Sequence, residues 1–314
     1  MNLPDFFIVG QAKAGTTALY EMLRSHPAIF MPDRKEPWYF ASELHERTPP
    51  RPDGIAGTLE EYALLFEPAR AGQRIGEASV LYLWSRTAAA AIADVLPDAK
   101  IIAILREPAS FLRSLHMQFT QDYVETEVDF EKALALEPER RAGRQIPPRT
   151  YWPAALLYSE HVHYVEQLRR YEARFAQENV LTLIYDDFLA DNDATVREVL
   201  RFLEVDATAP IETSEVNGSV RVRSPRMHRM VHAVSAGRGP TTTALKNGVR
   251  VVTPQHWRRR ALRVTRDLLV FGDPLPPDET LMRSLRRRFK GEVEALSAHL
   301  DRDLVKLWGY DAVD

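Results

Sequence analysis

The sequence predicts an α/β protein with a three-layer, P-loop-like fold, in which a central and mostly parallel sheet is flanked by helices. Three observations carry that expectation. Continuous apolar runs at 6–9 (FFIV), 100–105 (KIIAIL) and 180–185 (VLTLIY) have the composition of strands buried on both faces, as parallel sheets require. Each run is followed by a stretch of helical periodicity. The first passes into its helix through a loop of small and polar residues, 10–15, with the spacing of a phosphate-binding turn.

In chain order, the first strand and loop lead to a helix on which Leu19, Met22 and Leu23 recur at helical spacing. His26-Pro27 stops it, and a second short apolar run follows at 28–31. That run exits into KEPWYF (35–40), two adjacent charges and then three aromatics. Thr58 with Glu61 three residues on is a capping box, which predicts a helix over 59–68. Residues 74–79 (RIGEAS) form a short strand leading into a loop, and 85–95 a helix that Pro97-Asp98 breaks. The clearest strand, 100–105, closes on Arg106-Glu107-Pro108, where a helix starts with proline at a permitted early position. Residues 122–150 lack a clean period apart from a short helix near 130–136, and are read as an insertion over the site that sets specificity. An amphipathic helix is expected over 158–176, then the strand 180–185, Asp186-Asp187, and a helix over 193–203. The stretch 206–255 is irregular and basic, and 279–309 is helical with a core stripe of Leu281, Leu285, Phe289, Val293, Leu296 and Leu300. No repeat or sharp linker divides the chain, so a single domain over 1–314 is expected.

Composition narrows the function. The chain has no cysteine, which excludes disulfides and thiolate chemistry. No stretch reaches the ~18 uncharged apolar residues of a membrane span, and the N-terminus enters a strand with no basic n-region or cleavage site. The expectation is a soluble cytoplasmic protein with no nucleic-acid partner. Net charge is −3, but residues 221–290 hold 17 basic and 4 acidic residues, a local +13, while the rest is −16. Such asymmetry suits contact with an anion. His161 and His163, at i and i+2, share no helix face, so no metal is expected there.

The loop Gly10-x-x-x-x-Gly15 nearly fits the nucleotide-binding pattern, but Thr16 stands where that pattern has its lysine, and the cation comes earlier, at Lys13. Its backbone amides and the start of the following helix suit a phosphate, with the hydroxyls of Thr16 and Thr17 beside them. Arg106 closes a buried parallel strand on the edge where α/β folds bind ligands, and Ser114 lies about two helical turns further on, within marginal reach of the same anion. The run ending in Asp186 also has the form of a Mg²⁺-binding strand, which a kinase would need together with the missing lysine.

IVGQAKAGTTALYEMLRSHP, KEPWYF and KIIAILREPASFLRS, in that order and spacing, resemble the sulfotransferases that use 3′-phosphoadenosine 5′-phosphosulfate (PAPS). The first two blocks are more similar to the Golgi carbohydrate type and its bacterial relatives than to the phenol and steroid type. Weaker matches are Tyr158-Ser159-Glu160-His161, LIYDDFL, VNGSVRVRS and DRDLVKLWGY. The resemblance implies that Lys13, Ala14, Gly15, Thr16 and Thr17 hold the 5′-phosphosulfate, that Arg106 and Ser114 hold the 3′-phosphate, and that no metal is required. It implies Lys13 as the cation on the bridging oxygen and Glu36 as general base, with Glu77 as the rival base. Ser219, Arg221 and Arg223 are carried over as contacts of a basic lid on the 3′-phosphate. Trp38, Tyr39, Glu77 and Tyr158 are expected at the acceptor, a hydroxyl of a carbohydrate, glycolipid or small molecule. Two positions depart from the carbohydrate type: Trp38 replaces a histidine, and Ala78 replaces a lysine in Gly76-Glu77-Ala78-Ser79. A second catalytic cation is therefore missing from its usual place. The competing readings are a P-loop kinase and a nucleotide-binding protein without turnover.

Overall fold

The structure, a computed structural model, describes residues 1–44, 56–148, 150, 152–212, 221–222, 271–272 and 275–313. Five parallel strands form one sheet: β1 (Phe6–Gly10), β2 (Ile29–Phe30), β3 (Arg74–Ala78), β4 (Lys100–Leu105) and β5 (Val180–Ile184), in the spatial order β2-β3-β1-β4-β5. After β1 the chain runs outward to one edge, and after β4 to the other. The order therefore reverses between β1 and β4, and a crevice opens there at the carboxyl ends of the strands.

Side-chain alternation fixes the layers. Phe7, Val9, Ile101, Ala103 and Leu105 point into one hydrophobic core, while Phe6, Ile8, Ile102 and Ile104 point into the other on the opposite face. All five residues of β1 are buried, which is why the run is continuously apolar. Helix α1 (Thr16–Arg24) covers the second core, with Leu19, Met22 and Leu23 inward as the spacing requires. Helix α2 (Leu59–Ala63) starts at Thr58, whose hydroxyl accepts from the Glu61 amide at 3.2 Å, and it tightens into a 3₁₀ turn at Leu64–Phe66. Helices α3 (Ala88–Val95) and α4 (Pro108–Gln121) follow β3 and β4, with Pro108 at the start of α4.

Between α4 and β5 lie α5 (Phe130–Ala135), α6 (Glu137–Arg141) and α7 (Tyr164–Glu172). The continuous helix expected over 158–176 is instead a 3₁₀ turn at Tyr158–Val162 followed by α7, with His163 non-helical between them. Tertiary contacts of buried side chains override the period: the Tyr158 hydroxyl donates to Glu125 at 3.1 Å, and the His161 ring stacks on Trp84 at 4.9 Å. After β5 the chain turns directly into α8 (Tyr185–Ala190) and α9 (Asn192–Phe202). Helix α10 (Glu279–His299) packs on α4 and α7 and buries Leu285, Phe289, Val293 and Leu296. The helix expected to run to 309 breaks at 300–303 and resumes as α11 (Leu304–Leu307), where the Ser297 hydroxyl accepts from the Leu304 amide at 2.8 Å. Two short strands, β6 (Arg221–Val222) and β7 (Phe271–Gly272), pair antiparallel. Ser219 and Arg223 lie outside the described residues, as does most of 206–255, and Arg221 is described only as backbone in β6.

Candidate active site

The loop after β1 is shaped by the backbone. The Gln11 amide donates to Ile104 O at 2.8 Å, which ties the loop to β4, and the Ala14 amide donates to Gln11 O at 3.3 Å. Lys13 (φ 61°) and Gly15 (φ 79°) both take the left-handed conformation. At Gly15 a Cβ would lie 2.8 Å from the Phe188 ring, so the close approach of α8 requires glycine. Because Gly15 caps α1, the first amides of that helix have no intrahelical partner and point out of the loop.

Arg106 emerges from β4 beside this loop. Its Nη1 donates to Lys13 O at 2.8 Å and its guanidinium sits 4.9 Å from the Tyr185 ring centroid. Ser110, Arg113, Ser114 and Gln118 follow on one face of α4, at helical spacing from Arg106. Lys13 Nζ crosses to Gln118 Oε1 at 3.2 Å. Burial holds its pKa below the ordinary lysine value, aided by Arg106 and Lys35 and opposed by Asp122. Burial and then Arg106 likewise lower that of Arg113. Four cations therefore converge on one crevice, two of them with their charged forms disfavoured, an arrangement that an entering anion relieves.

The turn after β2 supplies the opposite wall. Glu36 (φ 62°) and Trp38 (φ 51°) are both left-handed, conformations that cost about 1–3 kcal/mol each and persist only where the surroundings impose them. The Glu36 amide donates to Ala78 O at 3.0 Å, the Trp38 amide to Ser79 Oγ at 3.1 Å, and the Phe40 amide to the Tyr82 hydroxyl at 3.1 Å. These bonds aim the Glu36 carboxylate. Its Oε2 accepts from Trp38 Nε1 at 2.8 Å and from the Val80 amide at 3.0 Å, and its Oε1 pairs with Lys35 Nζ at 3.3 Å. Lys35 Nζ also donates to Thr17 Oγ1 at 3.1 Å, so one ammonium spans the two walls.

A cavity of about 1030 Å³ lies between them. Of the residues singled out in the sequence, Lys13, Gly15, Thr16, Thr17, Glu36, Trp38, Arg106 and Ser114 line it. Ala14 is fully buried and does not. Three expectations at the acceptor are corrected. Tyr39 does not line the cavity: partly buried, it packs on the edge of the core with its ring stacked on Tyr62 at 4.6 Å. Tyr158 is 0% exposed and bound to Glu125. Glu77 is also 0% exposed, beneath the 36–40 turn, where burial pushes its pKa up to about 7 against the stabilising Ser79, Tyr82 and Tyr62 hydroxyls. A carboxyl with no exposed surface cannot reach a substrate, so Glu77 is not the rival base. Asp186 and Asp187 lie outside the cavity lining, bonded to Trp308 and Arg302, which leaves no Mg²⁺-binding strand there. Lys35, Arg113 and Gln118 were missed. Lys35 adjoins Glu36 in the sequence, and counting helical turns from Arg106 finds the other two.

Trp152, T-shaped against Trp38 at 4.9 Å, and Val124 close the cavity from the 122–152 side. Among the described residues no cluster of His, Asp and Glu is arranged to hold a metal ion, and no helix is long and apolar enough to cross a membrane.

Residues 3–233 match the sulfotransferase domain family. The membrane-associated sulfotransferase kil1 of Dictyostelium discoideum is 35% identical over 109 residues, 34% of this chain and 21% of that protein. Carbohydrate sulfotransferase 15 of Mus musculus is 29% identical over 154 residues, 37% of this chain and 27% of that protein. The chain thus spans about a fifth to a quarter of the length of these curated relatives. The crystal structure of a sulfotransferase from Alicyclobacillus acidocaldarius superposes with a TM-score of 0.69 at 27% identity, covering 98% of this chain and 99% of that one. With the family matched through the glycine loop, the 36–40 turn and Arg106, the chain belongs to the sulfotransferase domain family.

Proposed function

We propose that this sulfotransferase moves the sulfuryl group of PAPS to a hydroxyl of a carbohydrate, glycolipid or small-molecule acceptor by in-line transfer. One observation carries the reading: a single cavity is lined by the glycine loop with Thr16 and Thr17, by Arg106 with Ser114, and by Glu36. PAPS bears a 5′-phosphosulfate and a separate 3′-phosphate. The residues present fit both: the uncapped first amides of α1 with the Thr16 and Thr17 side chains at the cavity, and a guanidinium fork at the end of the neighbouring strand.

In this reading the loop amides and the two threonine hydroxyls hold the 5′ end, and Arg106 with Ser114 holds the 3′-phosphate. The acceptor oxygen attacks sulfur while its proton passes to Glu36 Oε1, the oxygen that holds only Lys35. As the bond between sulfur and the bridging oxygen breaks, Lys13 Nζ leaves Gln118 and neutralises the charge that develops on that oxygen. The products are the sulfate ester and 3′-phosphoadenosine 5′-phosphate (PAP). Trp38 and Trp152 form an aromatic wall on the Glu36 side, suited to stacking on a sugar or an aromatic ring.

Calorimetry with PAP and with adenosine 5′-phosphate tests the assignment. Loss of the 3′-phosphate is expected to weaken binding by about 10-fold or more, the worth of a hydrogen-bonded charge. Equal affinity for the two nucleotides would overturn it.

A further inference from the structure

Glu77 is a fully buried carboxyl away from the cavity lining, and among the described residues no ion pair reaches it. Its Oε2 accepts from the Tyr62 hydroxyl at 3.1 Å, and its Oε1 has no hydrogen-bond partner in standard geometry. The Ser79 and Tyr82 hydroxyls nonetheless lie close enough to stabilise its charge. Among the described residues, the titratable groups that sense it include Tyr20 of α1, Tyr62 of α2, Tyr82, Tyr171 of α7 and Glu36. A buried carboxyl without a cation is costly, and hydrophobic neighbours would have filled the space at lower cost.

Proton bookkeeping explains what it does. Ser79 Oγ accepts from the Trp38 amide and the Tyr82 oxygen from the Phe40 amide, and these bonds hold the left-handed turn that aims Glu36. Each hydroxyl has one proton of its own, which must point away from the amide it receives. An ionised Glu77 is acceptor-only and takes those protons together with that of Tyr62. A protonated Glu77 carries a donor on one oxygen, so it accepts fewer of those protons and must place its own on a neighbouring hydroxyl, which redirects the Ser79 and Tyr82 hydroxyls.

We propose that Glu77 is a positioning residue for sulfuryl transfer: its ionised carboxylate orients the Ser79 and Tyr82 hydroxyls so that they lock the 36–40 turn, and its protonation releases that lock. The proposal rests on Glu36 acting as the base. Because burial pushes Glu77 up to about 7, the release falls near neutrality.

The test is the pH dependence of kcat with PAPS and a hydroxyl acceptor identified by screening for sulfation, alongside PAP affinity by calorimetry. Wild-type kcat is expected to fall below about pH 7, in step with Glu77 protonation. In Glu77→Gln that limb is lost and kcat is lowered by about 10-fold at high pH, while PAP affinity stays unchanged. Glu77→Asp restores part of both. If Glu77→Gln does not fold, Tyr82→Phe and Tyr62→Phe serve: each removes a donor to the carboxylate, so the limb moves to higher pH. An active wild type whose acid limb is the same in all these variants would overturn the proposal. A wild type that binds PAP without turnover on any acceptor would instead count against the sulfuryl-transfer reading itself.

Discussion

Lys13 and Glu36 face the same cavity, yet the loop that carries the first is held mainly by main chain and the turn that carries the second mainly through side chains. The loop is fixed mostly by main chain, Gln11 to Ile104 and Ala14 to Gln11, with the Arg106 guanidinium donating to the Lys13 carbonyl. The turn has one main-chain tie, Glu36 to Ala78, and is otherwise fixed through side chains, with the Ser79 and Tyr82 hydroxyls on its amides and Trp38 and the Val80 amide on the Glu36 carboxylate. A main-chain cradle binds any phosphate of the right shape, and it tolerates change in the side chains around it. A side-chain cradle is specific to one carboxylate geometry, and the loss of one hydroxyl disturbs it. Binding and turnover are therefore expected to be separable by mutation at the turn, with binding residing in the loop and turnover in the turn together with the Lys13 ammonium.

The largest separation is expected at Glu36. In Glu36→Gln the shape is kept and the base removed, so kcat should fall by about 100-fold or more, within the range for acid–base catalysis. PAP affinity should remain at the wild-type value. Parallel loss of affinity would mean that the turn also builds the nucleotide site, and the division between the two walls would fail.

On the loop side Arg106→Lys keeps the charge and removes the planar fork. Affinity for PAP is expected to drop by about 10-fold, the lower end for hydrogen bonds to charged groups, while affinity for adenosine 5′-phosphate changes by less than about twofold. An equal loss for both nucleotides would place Arg106 on the 5′ end and would sharpen the map of the crevice instead of supporting it.

The same contrast decides what the sequence disclosed. The loop and β4 were legible because they are local: a buried apolar run, a glycine spacing and an arginine at a strand end lie within a few residues of one another. The cores on the two sheet faces followed from alternation along β1 and β4. Glu36 and Trp38 were legible only as a motif. Of the residues expected at the acceptor, Glu77 and Tyr158 are in fact buried and Tyr39 packs its ring on Tyr62, because which side chains meet the cavity depends on partners more than 20 positions away. Lys35 went unnoticed for the same reason. Its partner Thr17 is 18 residues distant and meets it only once β2 has turned back beside α1.

Lys35 gives the smallest effect and the sharpest test of whether the two walls act together. Its ammonium touches Thr17 on the loop side and Glu36 on the turn side. The pair with Glu36 is partly exposed, with 20% and 23% of the two side chains accessible, so screening limits it to about 1 kcal/mol or less. Lys35→Met should therefore lower kcat/KM by about fivefold at low salt, and by less as ionic strength rises. Combined with Thr17→Val, the two changes should show a coupling of about 0.5 kcal/mol or more, because both remove the same contact. Strict additivity would mean that Lys35 serves Glu36 alone, and that the nucleotide wall and the base wall share a cavity without exchanging energy.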